Sequence, residues 1–334
     1  MSLAQMKYLA ATRWGVRLGR LLCPQRGYRV ISFHCVLPDA VPPSDYRRRL
    51  QNPTVSEFEA LMIGLQQHFP IFPLIDLVTG RAPTRSLALG VSFDDGYQEV
   101  ASLAAPILAS LGVPYTVFLT TSLMDGHVPW FSRMYVFAYS AGKASGPVWL
   151  PPGCHARGES DAALERALSG FLRQFDTPRI HEIIDEIERR NPWYSPPSDL
   201  RTLERFMNWD EVRVLGRSPL VTFGAHTETH PALTALNSCR LEEELVRPRV
   251  AIESHIGQPC RLIAYPMGVF SERLIAPVQA SGYEAGFLMR PGLNTARTHR
   301  FLLHREYVPL GPALAIYQLS GLGALGRRLR AAVV

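Results

Sequence analysis

Short apolar runs alternate with helical stretches along most of this chain, and that alternation sets the expected fold. Tyr28 to His34, Leu87 to Phe93, Pro114 to Thr121, Leu220 to Phe223 and Glu284 to Met289 read as strands, being apolar runs that close on turn signals. Ile263 to Gly268 reads as a strand running into a Pro/Gly turn, and a last strand reaches Val308. Leu87 to Phe93 lacks polar alternation, the pattern of a strand covered on both faces. Ser56-x-x-Glu59 forms a capping box that opens a helix with the buried stripe Phe58, Leu61, Met62, Leu65 and Phe69. Ile71 to Leu77 reads as a short strand and turn. Glu99 to Leu111 is a helix closed by Gly112, Leu241 to Ile256 a helix with a kink expected at Pro248, and Ser271 to Ala280 a helix ended by Gly282. Strand, helix and strand in succession make the unit of a parallel barrel or wound sheet.

The rhythm breaks from about 125 to 206. Trp130, Phe131, Tyr135, Phe137, Tyr139 and Trp149 come first, then the Pro151-Pro152-Gly153 turn, then a polar helical stretch from Asp161 to Arg190. In a barrel enzyme an insertion at this point lies over the catalytic face. Its aromatics either stack on a ligand's rings or pack the insertion down. The expected divisions are a basic amphipathic helix over 1–26, the main domain over 27–310 and a helical tail over 311–334. Lys7, Arg13, Arg17 and Arg20 near the start and Arg327 to Arg330 near the end make both termini basic. They read either as helices packed on the domain or as peripheral contacts to an acidic membrane surface. No stretch approaches the roughly 20 apolar residues of a membrane span, and the first segment lacks the apolar core of a secretory signal. A cytoplasmic location, peripheral at the inner membrane face if membrane contact occurs, is the expectation.

Composition narrows the class further. With 334 residues, 47% hydrophobic and 19% charged, the chain has the balance of one large α/β domain with an insertion and not of a disordered one. The formal charge of +6 is carried almost wholly by arginine, Lys7 and Lys143 being the only lysines. No basic block with interleaved aromatics is present, so nucleic acid is not an expected partner. Cys23, Cys35, Cys154, Cys239 and Cys260 are scattered without CxxC spacing, which fits a reducing compartment.

Candidate chemistry gathers at strand ends. Asp94 and Asp95 follow the buried strand, where two adjacent ionised carboxylates are costly unless a cation or donors compensate. A metal ion would serve both; alternatively the pair caps the following helix. His226 and His230, four apart after another strand, can converge on one ion on a helix or a tight loop-to-helix junction. Pro231 at a helix start would then let His230 point back from the first turn. His34 ends the first strand, where the ligands of α/β folds collect.

In these blocks the chain resembles the polysaccharide deacetylase family, carbohydrate esterase family 4, also known by its chitooligosaccharide deacetylase homology domain. The first motif stands here as Ser92-Phe93-Asp94-Asp95-Gly96, the second as His226-Thr227-Glu228-Thr229-His230-Pro231. The third is a variant, Ala264-Tyr265-Pro266-Met267-Gly268, with alanine where the family carries arginine. The resemblance spans about 27 to 310. It implies a distorted (β/α) barrel of about seven parallel strands and removal of an N-acyl group, most simply N-acetyl, from an amino sugar of a glycan, oligosaccharide or lipid-linked saccharide. Asp95, His226 and His230 would hold a divalent ion, Zn2+ first and Co2+ or Ni2+ next. Asp94 would be the base and the Met267 backbone N–H a donor to the oxyanion. His34, or in second place His304 near the position of a carboxyl-terminal histidine motif, would protonate the leaving amine. Rival readings are a deacylase of a non-sugar amide and an inactive carbohydrate-binding relative.

Overall fold

Every residue of β2 (Leu87–Phe93) is buried, as its unbroken apolar pattern requires. In this computed structural model, which describes residues 25–42, 45–83, 86–144, 146–158, 160–197 and 204–320, β2 pairs with β1 (Gly27–Phe33) along its whole length. β3 (Tyr115–Leu119), β4 (Val221–Ala225), β5 (Leu262–Ala264), β6 (Ala285–Leu288) and β7 (Leu303–His304) follow in chain order, each parallel to its neighbours. These are the seven parallel strands of a nearly closed (β/α) barrel. The expected terminal helix over 1–26 lies outside the described residues except for Gln25 and Arg26, as does the tail beyond 320, including Arg327 to Arg330.

The seam between first and last strand is drawn together just past β7. Glu306 N–H donates to the Val30 carbonyl at 2.9 Å, and Ser32 N–H donates to the Glu306 carbonyl at 3.0 Å. The buried Glu306 carboxylate also pairs with Arg29 at 2.6 Å and accepts from the Gln318 side chain at 2.9 Å. Lower on the seam, Tyr28 and Asn294 exchange a pair of backbone hydrogen bonds. Side chains alternate along the strands. One set, with Val30, Ala88, Phe118, Leu262 and Phe287, forms a small core apart from the large core shared by the outer helices.

The helices depart from the sequence expectation at several places. The capping box that opens α1 (Val55–Gln66) is Thr54 with Glu57, not Ser56 with Glu59, because the chain turns helical two residues earlier. Ile71 bridges Leu89, but the residues beyond it form a helix, α2 (Leu74–Thr79), and not a strand. Pro73 supplies its amino-terminal φ, Gly80 closes it in the left-handed region, and the missing side chain of Gly90 leaves β2 room for Leu74. A wide π turn over Val100–Ala104 precedes α3 (Ala105–Leu111), since Pro106 lacks the N–H that a regular helix would use there.

Among the described residues the insertion has three helices: α4 (Trp130–Ala141), α5 (Asp161–Leu172) and α6 (Thr177–Arg190). What read as one polar helical stretch is therefore two, parted where Asp176 caps α6 by accepting from the Arg179 N–H. Asn208 and Glu211 cap α7 (Trp209–Leu215), and α8 (Ser238–Ile256) runs on through Pro248. The described residues also include a single helical turn over Thr121–Met124, α9 (Ile275–Ala280) and α10 (Pro312–Leu319).

Gly27 opens β1 at φ 138°, and a Cβ there would land on the Asn294 carbonyl oxygen. Gly27→Ala should therefore pry at the lower seam and cost about 1–3 kcal/mol or more, read as a lowered urea midpoint with unchanged slope; a neutral variant would show that the seam tolerates opening there.

Candidate active site at the carboxyl ends of the strands

Asp94 and Asp95 leave the end of β2 as expected, and the backbone sends them different ways. Asp95 sits at φ 67°, a left-handed conformation that Asp tolerates better than most residues. Asp94 N–H donates to the Phe33 carbonyl, continuing the ladder with β1 for one more residue. Both carboxylates are buried, at 5% and 3% exposure, so each needs compensation.

Asp94 has a partner that the motifs did not reveal. Arg305, 1% exposed, grips it with both arms: Nη1 donates to Oδ1 at 2.5 Å and Nη2 to Oδ2 at 3.0 Å. Nη1 also reaches the hydroxyls of Ser32 and Ser92, and the guanidinium lies over the Phe118 ring. Burial pushes the Asp94 carboxyl up, but Arg305 outweighs it and holds the pKa down at about 2. The motif position holds Ala264, and the cation paired with Asp94 comes instead from the residue after the last strand. A period-two reading of Leu303-His304-Arg305 was the available signal: if His304 faces out, Arg305 faces in.

Asp95 has no cationic residue beside it. Thr120 Oγ1 donates to it at 3.4 Å, and burial, reinforced by the charge of Asp94, drives its pKa well above the usual carboxylate range. Facing it are the two imidazoles. His226 Nε2 lies 3.8 Å and His230 Nε2 3.6 Å from Asp95 Oδ1, and the three ligand atoms all fall within 4.8 Å of one another. His226 Nδ1 donates to the Ala264 carbonyl at 2.8 Å, which leaves Nε2 with a free lone pair aimed at the group. Burial lowers the pKa of His226 to about 4 and that of His230 well below normal, so both rings are neutral, the state a metal ligand needs. His230 Nδ1 is buried without a partner. An anionic oxygen and two neutral imidazole nitrogens, converging in a buried spot that lacks a cation, fit a divalent ion.

His230 gets there from a loop, not from the first turn of a helix. It stands at φ 61°, Pro231 and Ala232 are irregular, and only a short 3-10 turn over Leu233–Ala235 comes before α8. Its N–H donates to Thr227 Oγ1 at 3.0 Å, with Thr227 itself at φ 69°. The Glu244 carboxylate of α8 accepts from the Glu228 and Thr229 N–H groups, both at 2.9 Å, and from the Thr229 hydroxyl at 2.5 Å. The insertion braces the loop from above: Trp130 Nε1 donates to the His230 carbonyl, and the Phe131 ring meets the His230 ring edge-on at 4.8 Å. Both aromatics are buried and pack the insertion onto the site, while Phe131 and Tyr135 also face the cavity.

Met267 also lies at positive φ, 55°, beside Gly268. Four of the five described non-glycine residues in that region are therefore Asp95, Thr227, His230 and Met267, and strain of this kind persists only where packing over-determines it. His34, Asp94, Asp95, His226, His230 and Met267 line one cavity of about 260 Å³. Tyr307 borders it too, its hydroxyl 3.4 Å from His34 Nε2. His304 is not part of this wall. Its backbone is held by the Asn294 side chain and its ring lies against Gly292, so the strand's alternation turns it away and removes it as the proton donor.

Comparison with known proteins agrees with this architecture. The polysaccharide deacetylase family model matches residues 172–286, a span that holds the histidine loop and the third motif but not the aspartate pair. The Bacillus subtilis (strain 168) protein named "Putative polysaccharide deacetylase YxkH" is 24% identical over 91 residues, 27% of this chain and 33% of that protein. The match thus spans a third of the curated relative's length. Among solved structures, the Streptococcus pyogenes deacetylase PplD in complex with acetate superposes with a TM-score of 0.56 at 12% identity, covering 88% of this chain and 97% of that one. IcaB from Ammonifex degensii gives 0.56 at 16% identity over the same shares. The BpsB deacetylase domain from Bordetella bronchiseptica gives 0.52 at 19%, covering 85% and 98%. The fold is the one shared with these solved deacetylases, and the polysaccharide deacetylase family model matches the part of the chain from 172 to 286.

Breaking the buried Asp94–Arg305 pair from one side should be costly. Arg305→Met is expected to lose about 3–5 kcal/mol of stability by leaving a carboxylate stranded. Adding Asp94→Asn should restore part of that loss, so the two effects are non-additive in urea unfolding. A single-variant cost under about 1 kcal/mol would show the pair to be dispensable to the fold.

Proposed function

We propose that this protein removes an N-acyl group, most simply acetyl, from an amino sugar of a glycan, oligosaccharide or lipid-linked saccharide. The observation that carries the reading is the meeting of Asp95, His226 and His230, from two strand ends, beside an ionised Asp94 in one cavity. A divalent ion, zinc before cobalt or nickel, would be held by those three residues and, when bound, supplies a water of lowered pKa and polarisation of the acyl carbonyl.

The chain's own groups account for the rest. Asp94, kept ionised by Arg305 and adjacent to the ligand Asp95, takes the proton of the attacking water. The Met267 backbone N–H is the donor for the oxygen that gains charge as the amide carbon becomes tetrahedral. His34 delivers a proton to the departing nitrogen. Burial lowers its pKa while the charge of Asp94 opposes that drop, so the ring is neutral at rest and takes up a proton released in the turnover. The products are the free amino sugar and acetate, or another small acid.

The test is acid release by the metal-loaded full chain from an N-acetylglucosamine tetramer, a lipid-linked N-acetyl sugar and a non-sugar acetamide, each with and without chelator. Release confined to sugars and abolished by chelation is expected; release from the plain acetamide alone would replace the sugar reading. Asp95→Ala and His226→Ala should lose bound zinc, whereas Asp94→Asn should keep it and lose roughly 10²-fold or more in kcat. Unchanged metal content in both ligand variants would remove the proposed centre.

A further inference from the structure

The insertion does more than brace the histidine loop: α5 brings Ser169 and Arg173, one turn apart, to the wall of the catalytic cavity. Arg173 is the residue just past the helix, exposed, with its Nε donating to the Ser169 carbonyl at 3.2 Å. That bond uses one of its five N–H donors. No acidic partner for it is found among the described residues, in contrast to Arg133, Arg179 and Arg190 of the same insertion, which pair with Glu188, Glu182 and Glu186.

The described residues leave that guanidinium without a counter-ion. Asp94 is satisfied by Arg305, and the other carboxylate in the cavity wall is Asp95, which is committed to the histidine pair. Glu165, two turns before Arg173 on the same helix, acts on Tyr135 but does not line the cavity. At about 260 Å³ the cavity is at the small end of ligand sites, on the scale of one sugar unit. A fork of free donors at its rim matches the geometry of a phosphate or carboxylate.

We infer that the substrate is an N-acyl sugar carrying an anionic group, phosphate or carboxylate, and that Arg173 binds that group at the cavity rim. The inference rests on the sugar amidase reading and adds its substrate class. It makes Arg173 a specificity residue, remote from the reacting amide.

The experiment compares N-acetylglucosamine 1-phosphate, N-acetylmuramic acid and uncharged methyl N-acetylglucosaminide as substrates of the metal-loaded full chain. The wild type should prefer a charged probe, and the stronger of the two identifies the anion. In Arg173→Ala the ratio of kcat/KM for that probe to kcat/KM for the uncharged one should fall at least about ten-fold, with Arg173→Lys recovering part of it. An unchanged ratio, or a wild type that favours the uncharged sugar, would overturn the inference. If none of the three is turned over, the amidase reading fails on these probes, and calorimetric binding decides the anion separately. Tighter binding of a charged probe that is lost in Arg173→Ala would support it, and equal or absent binding would refute it.

Discussion

Two carboxylates side by side in a buried place repel each other and lose their hydration, so a fold that keeps both must neutralise each by a different route. Here the routes diverge at the end of β2. Asp94 continues the ladder and meets Arg305 in a two-armed pair; Asp95 turns through a left-handed residue and faces two neutral imidazoles. That split separates a permanently ionised group from one that awaits a cation. A base and a ligand can then occupy consecutive positions without competing for the same charge.

The closure of the barrel depends on the same place. Arg305 follows β7 and immediately precedes Glu306, whose backbone stitches the last strand to β1 and whose carboxylate pairs with Arg29. The seam sets the height at which the guanidinium stands inside the barrel, and with it the orientation of Asp94. A side chain that looks like a tuning device for a base is thus also a closing pin. At Ala264 the chain contributes a carbonyl to His226, while the cation that meets Asp94 comes from the seam.

What the sequence made legible follows from which signals are local. The strand β2, the aspartate pair, the His-x3-His spacing and the barrel order are all written in contiguous residues, and the structure assembles them as read. Arg305 was missed because its significance is non-local: nothing within the chain near 305 says that Asp94 is across the barrel. His304 was considered because it lies near the position of a carboxyl-terminal histidine motif, while the strand's alternation points it away. The strand expected over Ile71 to Leu77 failed on a local conflict, apolar composition against the φ preset by Pro73, and the proline won.

The histidine loop shows how much of a site can lie outside the residues that do chemistry. A loop holding Thr227 and His230 in left-handed backbone is intrinsically reluctant, each such non-glycine residue costing of the order of 1–3 kcal/mol. Its conformation is over-determined from three sides: by Glu244 below, which takes up two backbone N–H groups and a hydroxyl; by Thr227 within, which accepts from the His230 N–H; and by Trp130 and Phe131 of the insertion above. Of the aromatic residues that in the sequence suggested a sugar-stacking wall, Trp130 and Phe131 take part in this bracing, and Phe131 and Tyr135 also face the cavity. The cavity wall thus takes both aromatic residues of α4 and the polar end of α5 from the insertion, so the element that stiffens the histidine loop also shapes what can enter beside it.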